Sequence, residues 1–218
     1  MGNEWDDYAG GWDDDPAARA YATAAHRSLI AALSAHRLRL DGLQVLDFGC
    51  GTGLLTERLA RDCGSVHAVD TSEAMLGVLN DKIDRNGWPH VCTGRSLPTD
   101  VGGHDLIVCS SVCSFLDDYP ATVAQLVRLL RPGGLFVQWD WEREGEADDS
   151  DGLTRSEISS ALTAAGLEAV EVRVGFELPM GEHTMRPLMG TGRRGTEPPE
   201  EGTSDPGDGT QPDGFVLR

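Results

Sequence analysis

Val45-Leu46-Asp47-Phe48-Gly49-Cys50-Gly51-Thr52-Gly53 is the stretch whose reading decides the fold. Val45 to Phe48 reads as a buried strand, the alternate glycines break it into a tight turn, and a helix follows. A glycine turn lets a ligand approach bare backbone. A second strand, Val66-His67-Ala68-Val69, ends in Asp70, seventeen residues beyond Gly53. An acid in that place can accept hydrogen bonds from a ribose diol. The two stretches together describe a nucleoside site at the carboxyl edge of a parallel sheet.

The spacing of the glycines narrows the nucleoside. The dinucleotide fingerprint is G-x-G-x-x-G, its third glycine allowing close helix packing beneath a pyrophosphate. Here the run is G-x-G-x-G, and Leu54 stands where that third glycine would fall. Asp47, two residues before Gly49, suits a cationic ligand and opposes a phosphate-bearing one. Both features count against an NAD(P)-dependent oxidoreductase.

The stretch resembles motif I of the class I S-adenosylmethionine (SAM) methyltransferases, D-x-G-x-G-x-G, with Asp47, Gly49, Gly51 and Gly53 matching. The resemblance covers roughly residues 40–192. It implies SAM as cosubstrate, with Asp47 and the turn through Cys50 holding the methionine moiety and Asp70 gripping the ribose hydroxyls. Thr71 and Ser72 would complete the ribose contact, and Met75 would pack on the adenine face. The family usually follows its third strand with an acid-bearing loop that bonds the adenine amino group. Here the loop is Thr93-Gly94-Arg95-Ser96-Leu97-Pro98, with Arg95 near the place of the acid. Arg95, Ser96 and main-chain groups are therefore the candidate adenine contacts. Cys109-Ser110-Ser111-Val112-Cys113-Ser114 should form the floor under the transferred methyl group, with Ser110 among the cofactor contacts.

The implied reaction is an in-line displacement in which a substrate nucleophile takes the sulfonium methyl group. A general base matters only where that nucleophile holds a proton; the candidates are His26, His183 and Asp117. Tyr8 and Trp12 are placed to cover the sulfonium by cation-π contact. Trp139 and Trp141 are candidates for lining the acceptor pocket. The alternative reading is a catalytically silent protein that binds SAM or S-adenosylhomocysteine (SAH) as a sensor or partner subunit.

Composition bounds the partners. The net charge of −18, with Lys82 as the only lysine, repels a phosphate backbone and disfavours nucleic acid. The loop after the fourth strand also lacks the N-P-P-Y or D-P-P-Y pattern associated with methylating base amines. A small-molecule acceptor is expected; oligomeric state is not encoded in any recognisable pattern. Such an acidic, lysine-poor composition suits a salt-rich cytoplasm, and a GC-rich genome that favours arginine accounts for it equally. The five cysteines form no C-x-x-C pair, so no metal site is expected and buried thiols in a reducing compartment are. No apolar run is long enough to span a bilayer, and the acidic N-terminus lacks a secretory pattern. A cytoplasmic protein is the expectation.

The expected architecture is α/β: a doubly wound, mostly parallel seven-stranded, Rossmann-like sheet ending in an antiparallel hairpin. Residues 1–40 form an acidic, aromatic segment and a helix (Ala17 to Arg37) covering the site; 41–194 form the SAM-binding domain; 195–218 form a disordered acidic tail rich in glycine and proline. Within the domain, helices are expected over Gly53–Asp62, Glu73–Ile83, Pro120–Leu130 and from Thr154 to Ala165. Strands are expected over Leu43–Phe48, Ser65–Asp70, His90–Thr93, Asp105–Cys109, Leu135–Trp139, Leu167–Phe176 and Thr184–Gly190.

Overall fold

The structure is a computed structural model that describes residues 3–99, 101–143, 151–181 and 183–196. The expected tail beyond Thr196 and most of the charged loop after Arg143 lie outside the described residues.

A short 3-10 turn at Glu4–Tyr8 and another at Trp12–Asp14 lead into helix α1, Pro16–Ala35. Asp15 caps that helix by accepting from the Ala17 amide at 2.8 Å, and Pro16 supplies a first-turn φ at no cost in hydrogen bonds. Strand β1 (Gln44–Phe48), helix α2 (Thr56–Leu59), strand β2 (Ser65–Val69), helix α3 (Glu73–Asn86), β3 (Val91–Gly94) and β4 (His104–Ser110) follow. Then come helix α4 (Tyr119–Leu129), β5 (Leu130–Asp140), helix α5 (Arg155–Ala164), β6 (Leu167–Val174), the short β7 (Leu178–Met180) and β8 (His183–Met185), and β9 (Leu188–Arg194).

Seven strands form one sheet in the order β3-β2-β1-β4-β5-β9-β6. The first five are parallel, and β9 runs antiparallel between β5 and β6. Both faces are covered, so central strands are apolar on both sides. In β4, Leu106 and Val108 face a core built with Leu29 and Leu33 of α1, while Ile107 and Cys109 face the core built with Val123 and Leu126 of α4 and Ile158 of α5. Strand order reverses between β1 and β4, and their carboxyl ends open a crevice there, the usual ligand position in such sheets.

Several expected boundaries shift for physical reasons. Helix α2 is only four residues long, because Gly53 takes φ +84° and the chain turns through Leu55 before a helix can begin. Helix α3 runs on to Asn86, where Gly87 at φ +63° stops it. Arg131 to Gly134 do not simply turn into the fifth strand; β5 already pairs at Leu130 with His104, then bulges and resumes at Leu135 opposite Leu106. The strand expected at Thr184–Gly190 is two strands. Pro187, which has no amide to give a ladder, separates β8 from β9. β7 and β8 form a separate two-stranded ribbon, and the connection through it brings the chain back as β9. Cys109 and Cys113 are buried, whereas Cys92 is exposed rather than packed inside.

Gly190 of β9 sits directly under α5: a Cβ there would lie 2.5 Å from Ile158 Cγ2 and 3.2 Å from Leu162 Cδ1. Overpacking of this kind costs about 1–3 kcal/mol. Gly190→Ala is therefore expected to lower the urea midpoint at an unchanged m value, and an unaltered midpoint would contradict this packing.

Candidate functional site

The site begins with Asp47. It shares the Val45 face of β1, turned toward α1 and α2, and is 1% exposed. Its Oδ2 accepts from Thr56 Oγ1 at 2.6 Å, while its Oδ1 is buried with no partner among the described groups. Burial pushes its carboxyl up to about 7, opposed by the Thr56 hydrogen bond. An acid held this way gains from a cation placed beside it.

The turn that follows is tied down by Asp70. One oxygen of Asp70 accepts from the Gly51 amide at 2.8 Å and the other from the Ser72 amide at 2.9 Å. The carboxyl is raised by burial, with these amide bonds opposing the rise. A carboxylate has about four acceptor positions, so capacity for a diol remains. Gly51 sits at φ +53° and a Cβ there would meet nothing within 4 Å, so its bare backbone faces open space. Gly53 serves a different need: a Cβ there would stand 2.4 Å from Leu79 Cδ1 of α3. Its missing side chain lets α3 pack.

Between these groups lies a cleft of about 310 Å³. Asp47, Gly49, Cys50, Gly51, Thr52, Asp70 and Met75 line one end. Ser110, Ser111 and Val112 after β4 form a wall, and Ala17, Ala18, Tyr21 and Ala22 of α1, Trp141 after β5 and Met185 of β8 line the remainder. The N-terminal turns cross the opening with Trp5 and Trp12. Polar contacts hold these turns in place. Asp6 Oδ1 accepts from Ser72 Oγ at 2.6 Å, a bond that keeps Asp6 below the usual carboxylate range. Asp13 accepts from Thr52 Oγ1 at 2.7 Å and pairs with buried Lys82 at 2.6 Å. Trp5 meets Phe115 edge-on, ring centres 5.2 Å apart.

The sequence-predicted residues divide accordingly. Asp47, Gly49, Cys50, Gly51, Asp70, Met75 and Ser110 line the cleft. Gly53 backs it from behind. Thr71 does not line it; its hydroxyl is bonded by Asn3 Nδ2 at 2.9 Å. Arg95 points along the surface, paired with Glu73 at 3.4 Å and bonded to the Thr71 carbonyl, and Ser96 is likewise outside the lining. Tyr8 is 58% exposed and turned away, so Trp5 takes the covering position beside Trp12. His26 lies on α1 among Arg58, Arg61 and Asp62, outside the lining, its imidazole held low by burial. Asp117 is not in the lining, and His183 belongs to β8. Trp139 is fully buried, donating to Ser28 Oγ at 3.2 Å, whereas Trp141 lines the cleft. Among the described residues no cluster of histidine, cysteine or acid is arranged for a metal, and no helix is long and apolar enough to cross a membrane.

Ser111 lines the cleft within the loop expected to floor it, and Trp5 within the segment expected to cover it, whereas Tyr21, Phe115 and Met185 were not marked by the sequence. Tyr21 had one available signal: it shares the buried face of α1 with Ala25, Leu29 and Ala32.

Residues 46–138 match the model of a methyltransferase domain. That stretch, somewhat under half of the chain, is similar to a methyltransferase domain and contains the turn and the acid at the head of the cleft. Over 99 residues the domain is 33% identical to a protein named ubiquinone biosynthesis O-methyltransferase from Aromatoleum aromaticum, covering 44% of this chain and 42% of that one. A chain solved in complex with the Haloferax volcanii Trm112 methyltransferase activator shares the fold at a TM-score of 0.68 and 20% identity, over 89% of this chain and 99% of that one. The [4+2]-cyclase SpnF shares it at a TM-score of 0.64 and 19% identity, over 78% and 81%. The chain thus spans about two-fifths of the curated relative's length, and the structural likenesses establish the fold alone.

The buried acid gives this protein a pH signature. An acid whose folded pKa is raised gives stability that is full below its unfolded pKa and is lost as pH rises through the folded value. For Asp47 that loss runs from about pH 4 to about pH 7. His26 and His36, both held low by burial, act in the opposite sense, so a difference measurement isolates Asp47. Without ligand, Asp47→Asn should gain stability on the parent protein between pH 5 and 8, read by urea unfolding at each pH. A constant offset across that range contradicts the buried, raised carboxyl.

Proposed function

We propose that this protein binds SAM in the cleft and transfers its methyl group to a small-molecule acceptor. The single observation that carries the reading is that Asp47, whose buried Oδ1 has no partner among the described groups, lines the same cleft as Asp70 and the bare Gly51 backbone. Asp47 and the turn would hold the cationic methionine end, Asp70 the ribose diol, and Met75 one face of the adenine. Bound SAM supplies an electrophilic methyl group whose leaving thioether is neutral, so transfer needs little acid catalysis.

What this chain contributes is position and exclusion of water. Holding two reactants in line removes much of the entropic barrier. The wall at Ser110–Val112 and the covering Trp5 and Trp12 restrict where reactants lie. His26 and Asp117 lie outside the lining of this cleft, and no base is assigned. Cys50 supplies none, since burial raises its thiol well above the ordinary value.

The net charge of −18 opposes a nucleic acid. The relatives' printed names, biosynthetic O-methyltransferases, also support a small-molecule acceptor.

Titration calorimetry with SAM, SAH and NAD tests the cofactor. SAM and SAH should bind and NAD should not. Asp70→Asn should weaken SAH at least tenfold, since it removes charge from two amide bonds and the ribose contact, while Arg95→Ala should stay within about twofold, as expected for an exposed pair. Failure of both nucleosides to bind overturns the reading. Transfer from labelled SAM to a metabolite extract tests the reaction; binding without turnover would favour the sensor.

A further inference from the structure

Asp140, at the end of β5, is a buried acid outside the lining of the cleft. Each of its oxygens accepts one amide: Cys113 N–H donates to Oδ2 at 3.2 Å and Ser114 N–H to Oδ1 at 3.1 Å. These are the first amides of a short 3-10 turn, Cys113–Phe115, which the preceding Val112 does not cap with its side chain. A carboxylate from another strand does the capping instead. The same strand end holds the start of the loop, where the Ser111 amide donates to the Trp139 carbonyl at 2.8 Å. Residues 111–114 are thus fixed from β5 at both ends.

What the loop touches gives Asp140 its reach. Val112 lies on the glycine turn: a Cβ at Gly49 would stand 2.4 Å from Val112 Cγ2. Phe115, at the end of the 3-10 turn, lines the cleft and meets Trp5 of the N-terminal segment edge-on. One end of the loop therefore abuts the turn at the cofactor end, and the other seats the aromatic cover. A displacement of the loop moves both.

The hold depends on charge. Burial pushes the Asp140 carboxyl up to about 6, opposed by the bonds from Ser114 and Cys113. The ionisable groups facing it are Tyr21 of α1, the Cys113 thiol and Tyr119 of α4, each raised by burial and so protonated at neutral pH; Cys109 of β4 lies against Cys113. Strand β9 sets apolar Leu188 opposite it. A carboxylate accepts at both oxygens, whereas the acid commits one of them to a proton. The full hold on the two amides exists above about pH 6 and lapses as pH falls through that value.

We propose that Asp140 is a positioning residue: its carboxylate sets the loop 111–115 and, through Val112 and Phe115, fixes the glycine turn and the N-terminal cover together, so that it governs how firmly the cleft retains its ligand. Asp140 itself touches neither ligand nor reacting atoms. The ligand readout rests on the reading that the cleft holds SAM; the spectroscopic readout does not.

The test uses the full chain and two measurements. In NMR spectra of the free protein, the Cys113 and Ser114 amides, the Phe115 ring and the Trp5 indole should shift together with a midpoint at about pH 6. That shared step should vanish in Asp140→Asn. By calorimetry, Asp140→Asn should weaken SAH about three- to tenfold at pH 8, the worth of one hydrogen bond. The ratio to the parent should fall toward one at pH 5, where the parent's acid holds a proton. Asp47 and Asp70 are present in both chains and cancel in that ratio. Val66→Ala, a core cavity at the start of β2 and so at the opposite edge of the sheet, should leave SAH affinity and the shared step unchanged, which separates positioning from a general loss of packing. If Asp140→Asn does not fold, Phe115→Leu serves: it should abolish the Trp5 shift and keep the Cys113 and Ser114 step. Amides that titrate without Phe115 and Trp5, or a ratio of affinities that stays constant with pH, overturn the positioning role. If the parent does not bind SAH, the cofactor reading falls, and the spectra alone decide on Asp140.

Discussion

One carboxylate holds the architecture of the site together. Asp70, at the end of β2, accepts from an amide in the turn after β1 and from an amide at the start of α3. Those bonds fix the left-handed backbone at Gly51 and set the entry to α3, from which Met75 reaches the cleft. They also keep an ionisable group inside a largely apolar wall, where its charged form costs free energy. An apolar residue in its place would leave two amides unpaired. The same economy appears at Asp47, satisfied on one oxygen by Thr56 and left open on the other.

The second constraint is the N-terminal segment, which closes over the crevice through acids rather than through a continuous apolar face. Asp6 meets Ser72 and Asp13 meets Thr52 and Lys82, with Glu57 also 3.5 Å from Lys82. In a chain so rich in acid, two of the segment's carboxylates thus have stated partners on the body of the fold. The aromatic rings ride on this framework: Trp5 turns in against Phe115 and Trp12 because Asn3 and Asp6 cap and anchor the short turn that carries it.

What the sequence made legible was local. The glycine spacing, Asp47 and Asp70 are read within one strand-helix-strand unit, where backbone conformation and residue type constrain each other directly. The alternation of apolar strands with helices likewise announced a parallel sheet before any coordinate. The far end of the cleft was less legible because it is assembled from afar: Tyr21 comes from α1 and Met185 from a ribbon of three-residue strands too short to show periodicity. Arg95 and Tyr8 misled for a related reason: both stand near the right sequence position, yet Glu73 draws Arg95 outward and the capped turn directs Trp5, not Tyr8, inward.

Lys82 carries a consequence of its own. It is the sole ε-amine in the sequence, and the acids of the covering segment and α2 enclose it. Reagents that acylate primary amines therefore find no lysine on the outer surface. Modification at this position requires the N-terminal strap to lift first, which makes its chemical reactivity a natural clock for how often the crevice opens.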